Sequence, residues 1–112
     1  MHKLIVPTLV AGLLVPAVTP AFAATKTVKV GDNYFVRPRG VPTVTVSKGT
    51  KVTWTWTGKN LHNVTVTRGP RKFHSGSKKS GRFSRTVNRA GTYTIICTVH
   101  GASDQSMKLV VR

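Results

Sequence analysis

Acidic residues are nearly missing from this 112-residue chain: Asp32 and Asp104 stand alone against 18 Lys and Arg. So few carboxylates exclude paired-carboxylate hydrolysis and most general acid–base chemistry. Cysteine occurs once, at Cys97. That excludes an internal disulfide framework and every zinc motif needing two or more thiolates. Beyond the N-terminus no apolar run approaches the ~20 residues that cross a bilayer. No window carries a sustained 3.6-residue apolar repeat, so no substantial helix is expected. The length allows one domain, without separate substrate and cofactor halves. What remains is a chain 39% hydrophobic with a formal charge of +16. It is too apolar, and too regularly patterned, for a disordered basic tail.

The N-terminus reads as a secretory signal. Met1-His2-Lys3 gives a positive start, Leu4 to Val15 an apolar run, and Ala21-Phe22-Ala23 small residues at a cleavage site. Pro16 and Pro20 argue against an uncleaved anchor. Cleavage after Ala23 removes 23 of the 112 residues and one of the 18 basic side chains. It leaves 89 residues, 24–112, with 17 cations against two acids, a formal +15. The mature domain then enters an oxidising compartment with an unpaired thiol. Such a thiol is open to oxidation unless something, a metal ion for instance, occupies it.

The remaining chain alternates with a period of two. Val28 and Val30, Val44 and Val46, Val52, Trp54 and Trp56, His62, Val64 and Val66, then Tyr93, Ile95 and Cys97, and Leu109 and Val111 each share a face. Thr, Val and aromatics dominate, as half-buried pleated surfaces prefer. Gly31-Asp32, Arg39-Gly40, Lys48-Gly49, Gly58-Lys-Asn60, Arg68-Gly-Pro70 and Ala90-Gly91 mark turns. Seven or eight short strands at this spacing predict an all-β, Greek-key antiparallel sandwich. The irregular stretch from Arg68 to Arg82 is expected to cross between sheets.

Chemistry concentrates at His62, Cys97 and His100. Cys97-Thr-Val-His100 ends a strand and enters a loop, and His62 opens another strand 35 residues earlier. Strand ends meeting at one rim of a sandwich can bring the three together. Two imidazoles and a thiolate in a near-trigonal plane, with a weak axial donor, suit type 1 copper. By itself Cys-x-x-His is a weak signal, and a lone His at a strand start is more often a surface group.

The ordered set of fragments is stronger. Gly31-Asp-Asn-Tyr-Phe35, Lys48-Gly-Thr-Lys-Val-Thr-Trp54, His62-Asn63-Val64, Phe73-His-Ser75, Ser80-Gly-Arg-Phe83 and Ala90-Gly-Thr-Tyr93-Thr-Ile-Ile-Cys97-Thr-Val-His100 follow one another. In that order they resemble the blue copper, plastocyanin-like cupredoxin family over essentially the whole mature length. The resemblance implies a single type 1 copper ion with His62, Cys97 and His100 as equatorial ligands. Asn63 would then tie the two ligand loops together, most directly at the backbone beside Cys97. The alternative for Asn63 is a glycosylation acceptor, since Asn63-Val-Thr65 fits the sequon. A sugar beside a buried ligand would be sterically awkward.

The axial position departs from the family, which commonly has a methionine three to five residues after the last histidine. Here Ser103, Asp104 and Gln105 fill those places, and Met107 lies seven residues on. Both Gln105, through its amide oxygen, and Met107, through its thioether, can serve, and they share a strand parity. The commoner thioether chemistry favours Met107, with Gln105 as the alternative. His74 reads as a solvated loop histidine, Trp54 as core, and Trp56 as a possible shield for the metal.

Seven cations, Arg68, Arg71, Lys72, Lys78, Lys79, Arg82 and Arg85, crowd one stretch. A net positive field attracts acidic partners and is screened by salt over ~8 Å at physiological ionic strength. Acidic redox proteins, anionic membrane surfaces and acidic cell-wall polymers all qualify. Stacking nucleic-acid bases would require exposed tryptophans, which disfavours nucleic acid. The leading expectation is an exported, periplasmic or extracellular electron carrier, a monomer that is not an enzyme and has no small-molecule substrate. The alternatives are copper delivery without redox turnover, or a metal-free basic sandwich that binds polyanions.

Overall fold

A computed structural model describes residues 24–112, so the expected signal segment 1–23 lies outside the described residues. The alternating segments form eight strands: β1 (Thr25–Gly31), β2 (Tyr34–Phe35), β3 (Thr43–Val46), β4 (Thr50–Trp56), β5 (Thr65–Arg68), β6 (Arg82–Val87), β7 (Gly91–Ile96) and β8 (Ser106–Val111). They pair as two four-stranded sheets, β2-β1-β4-β6 and β3-β8-β7-β5. This is the expected all-β sandwich, and no helix occurs among the described residues.

Strand direction is where periodicity was silent. β1 runs parallel to β4, and β3 parallel to β8, while the other pairs are antiparallel. Alternation reports which face a residue occupies and carries no information about a neighbour's direction. The stretch after β5 does cross between sheets, because β5 belongs to one and β6 to the other. It is more ordered than its composition suggests. Val66 N donates to Phe73 O, Ser75 N to Val64 O, and His62 and Lys78 exchange two backbone hydrogen bonds of 3.0 Å.

The inward residues of both sheets meet in one core. Val28, Val30, Val52 and Trp54 from one sheet face Tyr93, Ile95, Met107 and Leu109 from the other, each at most 1% exposed. Trp54 anchors an aromatic cluster, with ring centroids 5.9 Å from Phe73 and 5.8 Å from Phe83. The Tyr93 hydroxyl donates to Arg89 O at 2.8 Å, which satisfies its polar tip at the core edge. Outward positions are mostly Thr and Lys, giving each sheet one apolar and one wet face.

This arrangement predicts a sharp difference between faces. Leu109→Ala, in the core, should lower unfolding free energy by about 2–5 kcal/mol. Thr45→Ala, on the outer face of β3, should stay within about 0.5 kcal/mol. Urea titrations of both variants measure this, and similar midpoints would contradict the assigned faces.

Candidate metal centre

Each donor is delivered by local backbone structure. Cys97 lies one residue beyond β7, and its N–H donates to Gln105 O at 3.0 Å, extending the β7–β8 ladder by a rung. The chain then turns at once, because Gly101 N donates to Cys97 O at 2.9 Å. Gly101 ends that turn at φ +84°, a left-handed conformation that costs glycine little. Asp104 N and Gln105 N both donate to Gly101 O. The loop is thus a closed double turn that carries His100 back over Cys97.

His62 stands three residues before β5, paired with Lys78. Here the expected alternation fails, since His62, Asn63 and Val64 are all buried in succession. The reason is that both sides of this segment are covered, by Cys97 and its loop on one side and by residues 74–78 on the other. Trp56, 6% exposed, donates from Nε1 to His62 O at 3.2 Å, so the ring braces the segment from beneath.

The three donors converge. Cys97 Sγ lies 4.0 Å from His62 Nδ1 and 3.6 Å from His100 Nδ1, and all three atoms fall within 4.8 Å of one another. An ion bonded at about 2.3 Å to sulfur and about 2.0 Å to nitrogen, with bonds roughly 110–120° apart, separates such donors by roughly 3.5–3.7 Å. The His100 spacing matches this and the His62 spacing exceeds it by a few tenths of an ångström, so one ion can be held once the widest pair, 4.8 Å apart, closes by roughly an ångström. Cys97 and His62 are fully buried, while His100 is half-buried and flanked by the exposed side chain of Val99. One thiolate with two imidazoles is a donor set suited to copper in both oxidation states.

Asn63 links the two halves of the site. Its backbone N–H points at Cys97 Sγ at 3.4 Å. Its side-chain oxygen accepts from Thr98 N at 3.0 Å and from the Thr65 hydroxyl at 2.8 Å. Its amide nitrogen donates to the hydroxyls of Thr98 and Ser77. With its side-chain amide engaged at both ends and 5% exposed, Asn63 has no room for a sugar.

The two axial candidates occupy different depths. Gln105 shares the rung of Cys97, whereas Met107 is opposite Ile95, one inward-facing rung farther from the rim. Gln105 is 1% exposed, and its amide nitrogen donates to Gly31 O at 3.1 Å and Tyr34 O at 3.0 Å. Its Oε1 is buried without a partner, one of only two such side-chain atoms among the described residues. The other, Trp54 Nε1, lies in the aromatic cluster. His74 is exposed in an isolated bridge to Thr65, outside the donor group.

One participant escaped sequence reasoning. Asp32, in the two-residue turn between β1 and β2, accepts a 2.8 Å hydrogen bond from His62 Nε2. It also accepts from Lys59 N and Asn60 N. The bond to His62, then those from Asn60 and Lys59, lower its pKa to about 2. Thirty residues separate the pair, and Gly31-Asp32-Asn33 carries only a turn signal in sequence.

A copper centre at the rim of an eight-stranded sandwich is the class of protein that this fold and donor set define. The family model for copper binding proteins of the plastocyanin/azurin family matches residues 26–112, and the chain belongs to that family. Solved structures of amicyanin variants are similar to it. One oxidized variant is 27% identical, with a TM-score of 0.64, over 79% of this chain and 82% of that one. A Cu(I) form is 27% identical, with a TM-score of 0.65, over 81% and 90%. Another oxidized variant is 29% identical, with a TM-score of 0.64, over 81% and 90%.

If Asn63 couples the donor loops, Asn63→Ala should destabilise the metal-free domain by about 1–3 kcal/mol, since it removes the four hydrogen bonds that tie Thr98, Thr65 and Ser77 together. Thr67→Ala, on the exposed side of β5, should stay within about 0.5 kcal/mol. Denaturant midpoints that do not separate the two would remove Asn63 from this role.

Proposed function

We propose that the mature domain, residues 24–112, is an exported carrier of single electrons that works through one type 1 copper ion. The observation carrying this reading is the convergence of His62 Nδ1, Cys97 Sγ and His100 Nδ1 within 4.8 Å at a buried rim. His62, Cys97 and His100 are the equatorial ligands, and Asn63 holds their loops in register. When bound, copper supplies reversible exchange of one electron. The protein's part is to keep the donors fixed and exclude water, so that little rearranges between oxidation states. Cys97 is fully buried, and half-buried His100, beside exposed Val99, is the donor nearest a docking partner.

For the axial place, Gln105 is the better candidate. It stands on the Cys97 rung, and its buried Oε1 has no other partner. An orphaned buried acceptor costs about 1–3 kcal/mol, and a weak bond to an ion would offset that. Met107, one rung deeper, is a core residue in this reading.

No group at the site binds or transforms a substrate. Partners are selected by charge. Asp32 is engaged with His62, which leaves Asp104 as the one other carboxylate side chain beside 17 cations in residues 24–112. An acidic redox protein is the partner such a surface favours, and an anionic membrane or cell-wall surface would be attracted by the same field.

Copper added to the metal-free domain should produce an intense visible thiolate-to-copper absorption that Cys97→Ser abolishes. Gln105→Leu should shift that band and the reduction potential, while Met107→Leu leaves both near the parent values. The reverse ranking would return the axial role to Met107, and no band in the parent would refute the copper carrier. Oxidation of the reduced protein by anionic ferricyanide should slow by about tenfold or more from low to high salt. Oxidation by a cationic cobalt complex should speed up over the same range, and equal salt responses would contradict steering by charge.

A further inference from the structure

The two imidazoles of the site are held in different ways. The His62–Asp32 contact is the single histidine–carboxylate contact among the described residues, and no carboxylate is paired with His100. His62 is fully buried, whereas Asp32 is 36% exposed, so the carboxylate reaches from the surface onto an enclosed ring. We infer that Asp32 is a positioning residue for the copper centre: its carboxylate, seated on the Gly58–Asn60 backbone, fixes the His62 tautomer and favours the more highly charged copper ion. The inference deepens the copper reading and rests on it.

Three observations support a built arrangement. First, the carboxylate is itself positioned. Oδ1 accepts from His62 Nε2 at 2.8 Å and from Asn60 N at 3.0 Å, and Lys59 N lies 3.1 Å from both oxygens. Second, the seat is shaped by glycine, because a Cβ at residue 58 would force the Asp32 carboxylate to move. Third, the turn carrying Asp32 is pinned on its other side, where Gly31 O and Tyr34 O accept from the Gln105 amide.

The chemistry follows from the tautomer. A carboxylate at Nε2 retains the proton there, so the Nδ1 lone pair stays open toward Cys97 Sγ, 4.0 Å away. The same negative charge makes Nδ1 a stronger donor, which benefits Cu(II) more than Cu(I). Reduction potential falls accordingly. The effect opposes the field of the surrounding cations, which by itself would favour Cu(I).

The test compares Asp32→Asn, which retains an acceptor oxygen without the charge, and Asp32→Ala, which removes both. Both variants should take up copper and show the thiolate absorption. Cu(II) affinity should drop by about 10–100-fold with a smaller change for Cu(I). Each tenfold change in the ratio raises the potential by about 59 mV, with Asp32→Asn between the parent and Asp32→Ala. In the metal-free parent, nitrogen-15 shifts of His62 should report a proton held at Nε2, and Asp32→Ala should release that preference. Unchanged potentials in both variants, or a His62 tautomer that ignores the substitution, would overturn the inference even if stability fell. A parent that never develops the absorption would refute the copper reading instead, and the tautomer measurement would still judge Asp32.

Discussion

Three donor atoms meet at one rim because the backbone and second-nitrogen contacts of His62 and the backbone of Cys97 are engaged elsewhere. His62 pairs with Lys78 through its backbone, and Trp56 Nε1 donates to its carbonyl. Its Nε2 is held by Asp32, which leaves Nδ1 aimed at the sulfur. Cys97 uses its N–H on Gln105 and its carbonyl on Gly101. What points inward is therefore the set of lone pairs a metal needs. Holding them in place costs conformational entropy, which folding of the sandwich covers before any ion arrives.

The β1–β2 turn has a larger part in this than its length suggests. Asp32 reaches His62, and the carbonyls of Gly31 and Tyr34 receive the Gln105 amide. Since β1 and β2 belong to one sheet and β8 to the other, the turn bridges the two layers at the metal end. Asn63 does the equivalent across the loops, joining Thr98, Thr65 and Ser77. Buried polar networks of this sort rigidify a site only when their members are satisfied. The atom left over is Gln105 Oε1, on the rung that carries Cys97.

Period-two alternation made the sandwich readable from sequence, and with it the inner faces of β1, β4, β7 and β8. The same rule misled at His62-Asn63-Val64, where all three residues are buried because neighbouring loops cover both sides. The parallel pairings of β1 with β4 and of β3 with β8 were invisible, since alternation is the same in either direction. His62, Cys97 and His100 stood out through residue type and order. Asp32 did not, because its role depends on a fold contact across thirty residues. Choosing between Gln105 and Met107 depends on ladder register, and two positions of equal parity cannot be ranked by periodicity.

Over most of the surface, cations have almost no carboxylates to meet; at the metal rim, one partly exposed carboxylate is placed against a buried donor ring. The central claim is that a fixed set of one sulfur and two nitrogens holds the ion. X-ray absorption at the copper edge, recorded on oxidised and reduced protein, tests it most directly. The account predicts one short sulfur scatterer and two imidazole nitrogens in both states, with little change in distance between them. Loss of a nitrogen on reduction, or a first shell dominated by oxygen, would contradict it.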